Sequence, residues 1–206
     1  MSVVSGSSAL TPGPDDEARR KADEERLRAL HLAEYHRFFE VSHHIAERVL
    51  RARWAHRETV QDALQDAYLQ ALVRWEKVRV HENPIAWVIT TARYRIFHAY
   101  KKTQREAATA PDELPAVSEA DVADVWRVQD SLRTWLQQIR PTHAEVFQMS
   151  HEGFTDREIA MTLGIAERSV QCYRAAARKR LRELAERDGF TTSDRDDREG
   201  DDRGPR

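Results

Sequence analysis

Between Thr155 and Arg187 stand the side chains whose types and spacing most constrain the chemistry open to this chain. Val170, Tyr173, Ala177, Leu181 and Leu184 recur at three- and four-residue intervals and read as the inward stripe of an amphipathic helix. Arg168, Ser169, Gln171, Cys172, Ala175, Arg178, Lys179 and Arg182 are left outside. Guanidinium and amide groups can make bidentate hydrogen bonds to base edges, and cations neutralise phosphates. Arg168, Arg174, Arg178, Lys179, Arg180, Arg182 and Arg187 against Glu167, Glu183 and Glu186 give this stretch a local charge of +4, on a chain whose total is −2. The positive charge is therefore placed rather than spread, as a nucleic-acid partner requires. A plain helical hairpin with a solvated basic face would share the pattern.

The preceding residues supply the element that positions this face. Thr155 and Glu158 have the spacing of a capping box, in which hydroxyl and carboxylate satisfy orphan backbone donors at a helix start. Ile159, Ala160 and Leu163 give the short helix one apolar face, Gly164 permits the left-handed residue that ends it, and the next helix can start at Ala166. Helix, turn and longer basic helix together make a helix-turn-helix.

Two other segments carry patterned chemistry. Residues 84–105 hold Arg93, Arg95, Lys101, Lys102 and Arg105 without an acid, interleaved with Trp87, Tyr94, Phe97 and Tyr100. Cations for phosphates beside aromatic faces for unpaired bases are what binding of a single strand needs. Residues 58–76 carry Glu58, Asp62, Asp66 and Glu76 against Arg74 alone, a face suited to a basic partner or simply to water.

Composition narrows the remaining options. With 206 residues, 40% hydrophobic and 33% charged, the chain can hold one large or two small cores. Few glycines and long Ala, Leu, Arg and Glu stretches indicate an all-α protein. A single cysteine excludes an intramolecular disulfide framework and suits a reducing cytoplasm. No apolar run is long enough to span a bilayer and the start lacks a secretion signal, so no membrane insertion is expected. No His/Asp/Glu cluster has metal-ligand spacing, no glycine-rich phosphate loop is present, and Cys172 has no adjacent base. Neither catalysis nor a cofactor is expected.

Five parts follow along the chain. Residues 1–25 read as a largely disordered tail, and 26–105 as a helical bundle. Its first helix carries Tyr35, Phe38, Phe39, Ser42, Ile45, Ala46, Val49 and Leu50. The second carries Val60, Ala63, Leu64, Ala67, Tyr68, Ala71, Leu72 and Trp75, and the third, after Asn83 and Pro84, carries Ile85, Val88, Ile89, Ala92, Ile96 and Ala99. Residues 106–125 hold Glu106, Asp112, Glu113, Glu119, Asp121 and Asp124 with no base and read as an acidic flexible linker. Residues 126–187 form the helix-turn-helix domain, and 188–206 read as a disordered charged tail.

The stretch from Glu58 to Leu72 with Arg74 and Trp75, then Pro84 to Lys102, then the helix-turn-helix, resembles regions 2 and 4 of the extracytoplasmic-function class of bacterial sigma factors. The resemblance covers roughly residues 33–186. It implies two small helical domains and a chain that binds bacterial core RNA polymerase and promoter DNA, with an anti-sigma factor as a further partner. It assigns core polymerase binding to Asp62, Gln65, Asp66 and Leu69. It assigns the −10 element to Arg93, Tyr94, Lys101 and Lys102, and the −35 element to Arg168, Ser169, Gln171, Cys172, Ala175 and Arg178. Trp87 matches a mainly structural position of that class, and the loop from Glu76 to Asn83 matches the one that captures a flipped base. Tyr94 and His98 stand where the class commonly has asparagine and aspartate, and Ala175 and Ala176 replace larger polar types. The alternative is a conventional helix-turn-helix regulator with an N-terminal sensing or dimerisation domain, which would bind its operator as a dimer.

Overall fold

The computed structural model describes residues 14–107 and 126–190, and the described residues are helical and contain no strand. The remaining residues, including most of both expected tails and of the expected linker, lie outside them.

Helix α1 runs from Pro14 to Arg51 and so begins inside the stretch expected to be a disordered tail. The correction has a local cause. Proline suits the first helical position, and Asp15, Asp16 and Glu17 in the first turn oppose the positive end of the helix dipole. Hydrophobic periodicity could not reveal this part of the helix, because from Asp15 to Glu34 only His31 is even half-buried. Further along, Tyr35, Ser42, Ala46, Val49 and Leu50 turn into the core.

Helix α2 (Arg57–Val73), the single turn α3 (Trp75–Val78) and α4 (Pro84–Ala107) complete the first bundle. Val60, Ala63, Leu64, Ala67, Tyr68 and Ala71 of α2 face Val88, Ile89, Ala92 and Ile96 of α4, all buried. The buried hydroxyls of this bundle are paired, as burial favours: the Tyr35 hydroxyl donates to the Tyr68 carbonyl at 3.0 Å, and the hydroxyls of Ser42 and Tyr68 meet at 2.8 Å. Ala107 carries α4 two residues into the span expected to be linker.

The second half comprises α5 (Trp126–Gln137), α6 (Pro141–His151), α7 (Asp156–Leu163) and α8 (Glu167–Arg187). Its chain remains ordered past Arg187, where a disordered tail was expected. Trp135 donates its indole N–H to Asp188 at 2.7 Å, and the Phe190 ring stands edge-on to the same indole.

The two halves do not keep separate cores. Val146, Met149, Phe154, Ile159, Ala160 and Val170 pack into one cluster with the buried residues of α1, α2 and α4. A smaller cluster sets Trp135, Leu136 and Ile139 against Ala144, Ala177, Leu181 and Leu184, with Ala52 from the end of α1 joining it.

Candidate nucleic-acid interface

The helix-turn-helix is built from its caps inward. Thr155 Oγ1 accepts from the Glu158 N–H at 3.3 Å while Glu158 Oε2 accepts from the Thr155 N–H at 2.8 Å, so both arms of the capping box are made. Gly164 ends α7 at φ 68°, a left-handed conformation that a Cβ would strain. Ala166 then caps α8. Arg174 reaches back to Asp156 and to Ser150 Oγ at 2.9 Å, which ties α8 to α6 and α7.

On α8, Val170, Ala177, Leu181 and Leu184 are buried and Tyr173 half-buried, stacked on His143. The opposite face presents Arg168, Gln171, Cys172, Ala175 and Arg178 to solvent, with Ser169 half-exposed at its edge. The six residues assigned to the −35 element thus share one open surface. Its donors fit a major groove, which admits an α-helix and displays base edges to it.

The face assigned to the −10 element is divided. Tyr94 is exposed, ring to ring with His98 at 4.1 Å, a contact made by the two residues that stand where the class commonly has asparagine and aspartate. Phe97 and Tyr100 are also exposed, and Lys101 places its ammonium 5.9 Å from the Phe97 ring centroid. The Lys102 side chain lies outside the described residues. Trp87 is half-buried against the core, as a structural residue should be.

Arg93 departs from the expectation of an open DNA-binding cation. Its side chain is only 19% exposed, lies 3.4 Å from the Glu145 carboxylate, and donates to the Thr162 carbonyl at 3.2 Å. Glu145, from α6, is wholly buried and is also reached by Arg53 at 3.1 Å. Burial pushes the Glu145 carboxyl up, against the pull of the two guanidiniums, and burial likewise lowers Arg93. The 3.4 Å approach is an ion-pair distance without hydrogen-bond geometry, which leaves Glu145 Oε1 without a donor.

The same seam holds two further ionic or polar contacts between the halves. Arg48 of α1 grips Glu152 with two hydrogen bonds of 2.7 Å. Asn83 accepts from the Ala86 N–H at 3.0 Å, capping α4, and donates to Glu158 at 2.6 Å. The start of α4 is thereby tied to the start of α7 through one amide and one carboxylate. A cavity of about 340 Å³ lies beside this contact, lined by His81, Trp87, Thr90, Met161 and Thr162 among others. None of Arg48, Arg53, Glu145 or Glu152 was singled out from sequence. A glutamate in an apolar stretch (Ala144-Glu145-Val146-Phe147) was the one available signal.

On α2, Asp62, Gln65, Asp66 and Leu69 are all exposed, and Leu69 continues into an apolar strip with Leu72 and Val73. Asp66 also pairs with Arg95 at 3.5 Å. Among the described residues no group of three or more His, Cys, Asp and Glu could hold a metal ion, and no helix is long and apolar enough to cross a membrane.

This geometry has a counterpart in a solved structure. The sigma factor RpoE from Bartonella quintana, crystallised with the anti-sigma factor NepR, superposes with a TM-score of 0.61 at 18% identity, covering 74% of this chain and 97% of that one. The fold is that of a sigma factor. Residues 141–184 separately match the family described as bacterial regulatory proteins, luxR family, a span that takes in α6, α7 and most of α8. No curated protein matches the chain in sequence. The likeness to that structure spans most of the chain, and the match to bacterial regulatory proteins is confined to the helix-turn-helix half.

Proposed function

We propose that this chain is a sigma factor of the extracytoplasmic-function type, which binds bacterial core RNA polymerase in the cytoplasm and directs initiation at promoters with −10 and −35 elements. The observation that carries the reading is the division of labour across one fold. An acidic face edged with leucine lies on α2, an aromatic and cationic face on the second half of α4, and an open polar face on α8. A regulator that binds DNA alone has no use for the first two.

The residues act by contact rather than by catalysis. Arg168, Gln171 and Arg178 supply donors to base edges and phosphates at the −35 element, while Ala175 offers at most a methyl contact. Tyr94, Phe97 and Tyr100 give stacking surfaces for unpaired bases of the −10 element, with Lys101 and Lys102 on the backbone. Asp62, Gln65, Asp66 and Leu69 dock on a basic surface of the polymerase, whose active site does the chemistry. The complex of the Bartonella sigma factor with NepR supports an anti-sigma factor as a further partner.

The luxR-family match over 141–184 favours a second reading, an operator-binding dimer. Run-off transcription with purified core polymerase and a promoter library separates the two. The proposal expects core-dependent initiation at promoters with two unlike elements. Tight binding to a palindromic operator without core, and no initiation at any promoter, would refute it.

A further inference from the structure

Helix α1 outruns the bundle to which it belongs: over about 30 Å, from Asp15 to Glu34, only His31 is even half-buried. Where this overhang passes the end of α2 and the turn α3, a groove of about 720 Å³ opens between them. Leu32 forms one apolar wall and Leu72 and Val73 the other, all three exposed, Val73 to 84%. Arg28, Arg74 and Lys77 stand around these walls, while Glu76 is turned to His31 at 3.7 Å. Arg74 and Lys77 pair with no carboxylate among the described residues. Arg28 has Glu24 at 3.7 Å, with both side chains mostly in water, so that pair holds it weakly.

The groove adjoins a surface of the opposite sign. Exposed Leu69 on α2 leads from Asp62 and Asp66 to Leu72 and Val73, so one strip runs from an acidic end through leucines to a basic end. Single exposed leucines are ordinary, whereas a contiguous apolar strip rimmed by charge marks a contact surface. Size decides what covers it. A standard interface takes up about 800 Å² on each partner, a patch of roughly 16 Å radius. Val73 lies seven residues beyond Asp66, about 10 Å along the helix. A protein seated on Asp62, Asp66 and Leu69 therefore covers the groove as well, and its own charge must change sign across that distance.

We propose that the groove between the overhang of α1 and the end of α2 is a second docking site for core polymerase, which takes an acidic segment with an apolar side chain at its centre. The occupant rests on the sigma-factor reading. Arg28, His31 and Leu32 precede the stretch that resembles the extracytoplasmic-function class, so docking through α1 goes beyond what that resemblance implies. The two ends of the strip also fix the direction of seating. Turned end for end, the bundle would set Asp62 and Asp66 against carboxylates and Arg74 and Lys77 against cations, and such like-charge contacts exclude the wrong orientation. The aromatic face of α4 is thereby presented to DNA in one direction only.

Titration of the full chain with purified core polymerase tests it. A dye on Cys172, the only cysteine and exposed on α8, reports association by fluorescence anisotropy. Arg74→Glu with Lys77→Glu reverses the rim on the α2 side, and Arg28→Glu with Leu32→Ser alters the wall on α1. All four side chains are exposed, so thermal unfolding should stay close to that of the parent. The Kd for core should rise tenfold or more in the first variant and severalfold in the second. Circular dichroism checks for retained helix, and Val73→Asp serves if either variant loses it.

Asp62→Lys with Asp66→Lys, measured alongside, separates the groove from the function on which it rests. Parental affinity in either groove variant, while the α2 reversal weakens binding, overturns the groove as a docking site and leaves the sigma-factor reading standing. A parent chain that never associates with core overturns that reading and the docking site with it.

Discussion

Glu145→Ala is the most demanding test of the seam between the halves. The carboxylate is wholly buried, while the side chains of its partners Arg93 and Arg53 are 19% and 32% exposed. Removing one member of a buried ion pair costs about 3–5 kcal/mol, mostly because the charge left behind has no compensation. Arg53 is close enough to water to re-solvate by rotating outward, and Arg93 retains the Thr162 carbonyl, so the low end of about 3 kcal/mol applies. For a chain of this size each kcal/mol lowers the melting temperature by roughly 2–4 °C, which gives a fall of about 6–12 °C. Thermal unfolding followed by circular dichroism at neutral pH reads it directly. Replacing both Glu145 and Arg93 with methionine should recover much of the loss, since an apolar pair of similar volume often matches a buried ion pair. A Glu145→Ala variant melting within about 2 °C of the parent would refute the buried cluster, because that shift corresponds to less than ~1 kcal/mol.

Four further outcomes are expected. Thr155→Ala removes one arm of the capping box and should cost about 1 kcal/mol, read in the same melts. Arg168→Ala and Gln171→Ala should each weaken use of −35-dependent promoters by ~1–3 kcal/mol, and unchanged promoter preference in both would remove α8 as the reading face. Asp66→Lys breaks a pair with Arg95 in which both groups are about half exposed, so the fold should lose at most about 1 kcal/mol while association with core polymerase falls sharply. On acidification the seam should loosen. Hydrogen bonds from Asn83 and then Thr155 hold Glu158 below its ordinary value of 4.5, and for Glu152 the bonds from Arg48 and Gln148 outweigh burial to the same effect. A depressed folded value means that the stabilisation is present above 4.5 and is lost as pH falls through the folded value. Urea unfolding of the parent and of Glu152→Gln with Glu158→Gln should accordingly converge below pH 4.5, and an unchanged gap would contradict the assignment.

What could be read in the sequence was whatever repeats locally. The stripes on α2, α4 and α8 follow from period 3.6, and the α7 start and stop follow from Thr155, Glu158 and Gly164, because those signals act within a turn or two. The exposed face of α8 follows as the complement of a buried stripe. The first half of α1 was not legible, since a helix without a buried face has no hydrophobic period to announce it. The fate of Arg93 was not legible either: its partners Glu145 and Thr162 lie 52 and 69 residues away, and pairing at that distance leaves no spacing to read. Glu158 shows the limit within one residue. Its capping role is local, and its grip on Asn83 is long-range.

The joint between the halves is made in good part of guanidiniums, carboxylates and an amide. Two surfaces sealed by leucines would, once parted, seek any other apolar surface in a crowded cell, and each opening would risk aggregation. Arg48, Glu152, Asn83 and Glu158 are as well served by water as by one another. Behind that polar rim lie Val146, Met149, Phe154, Ile159, Ala160 and Val170, which share a core with α1, α2 and α4, so parting the halves would bare apolar surface for which water is no substitute.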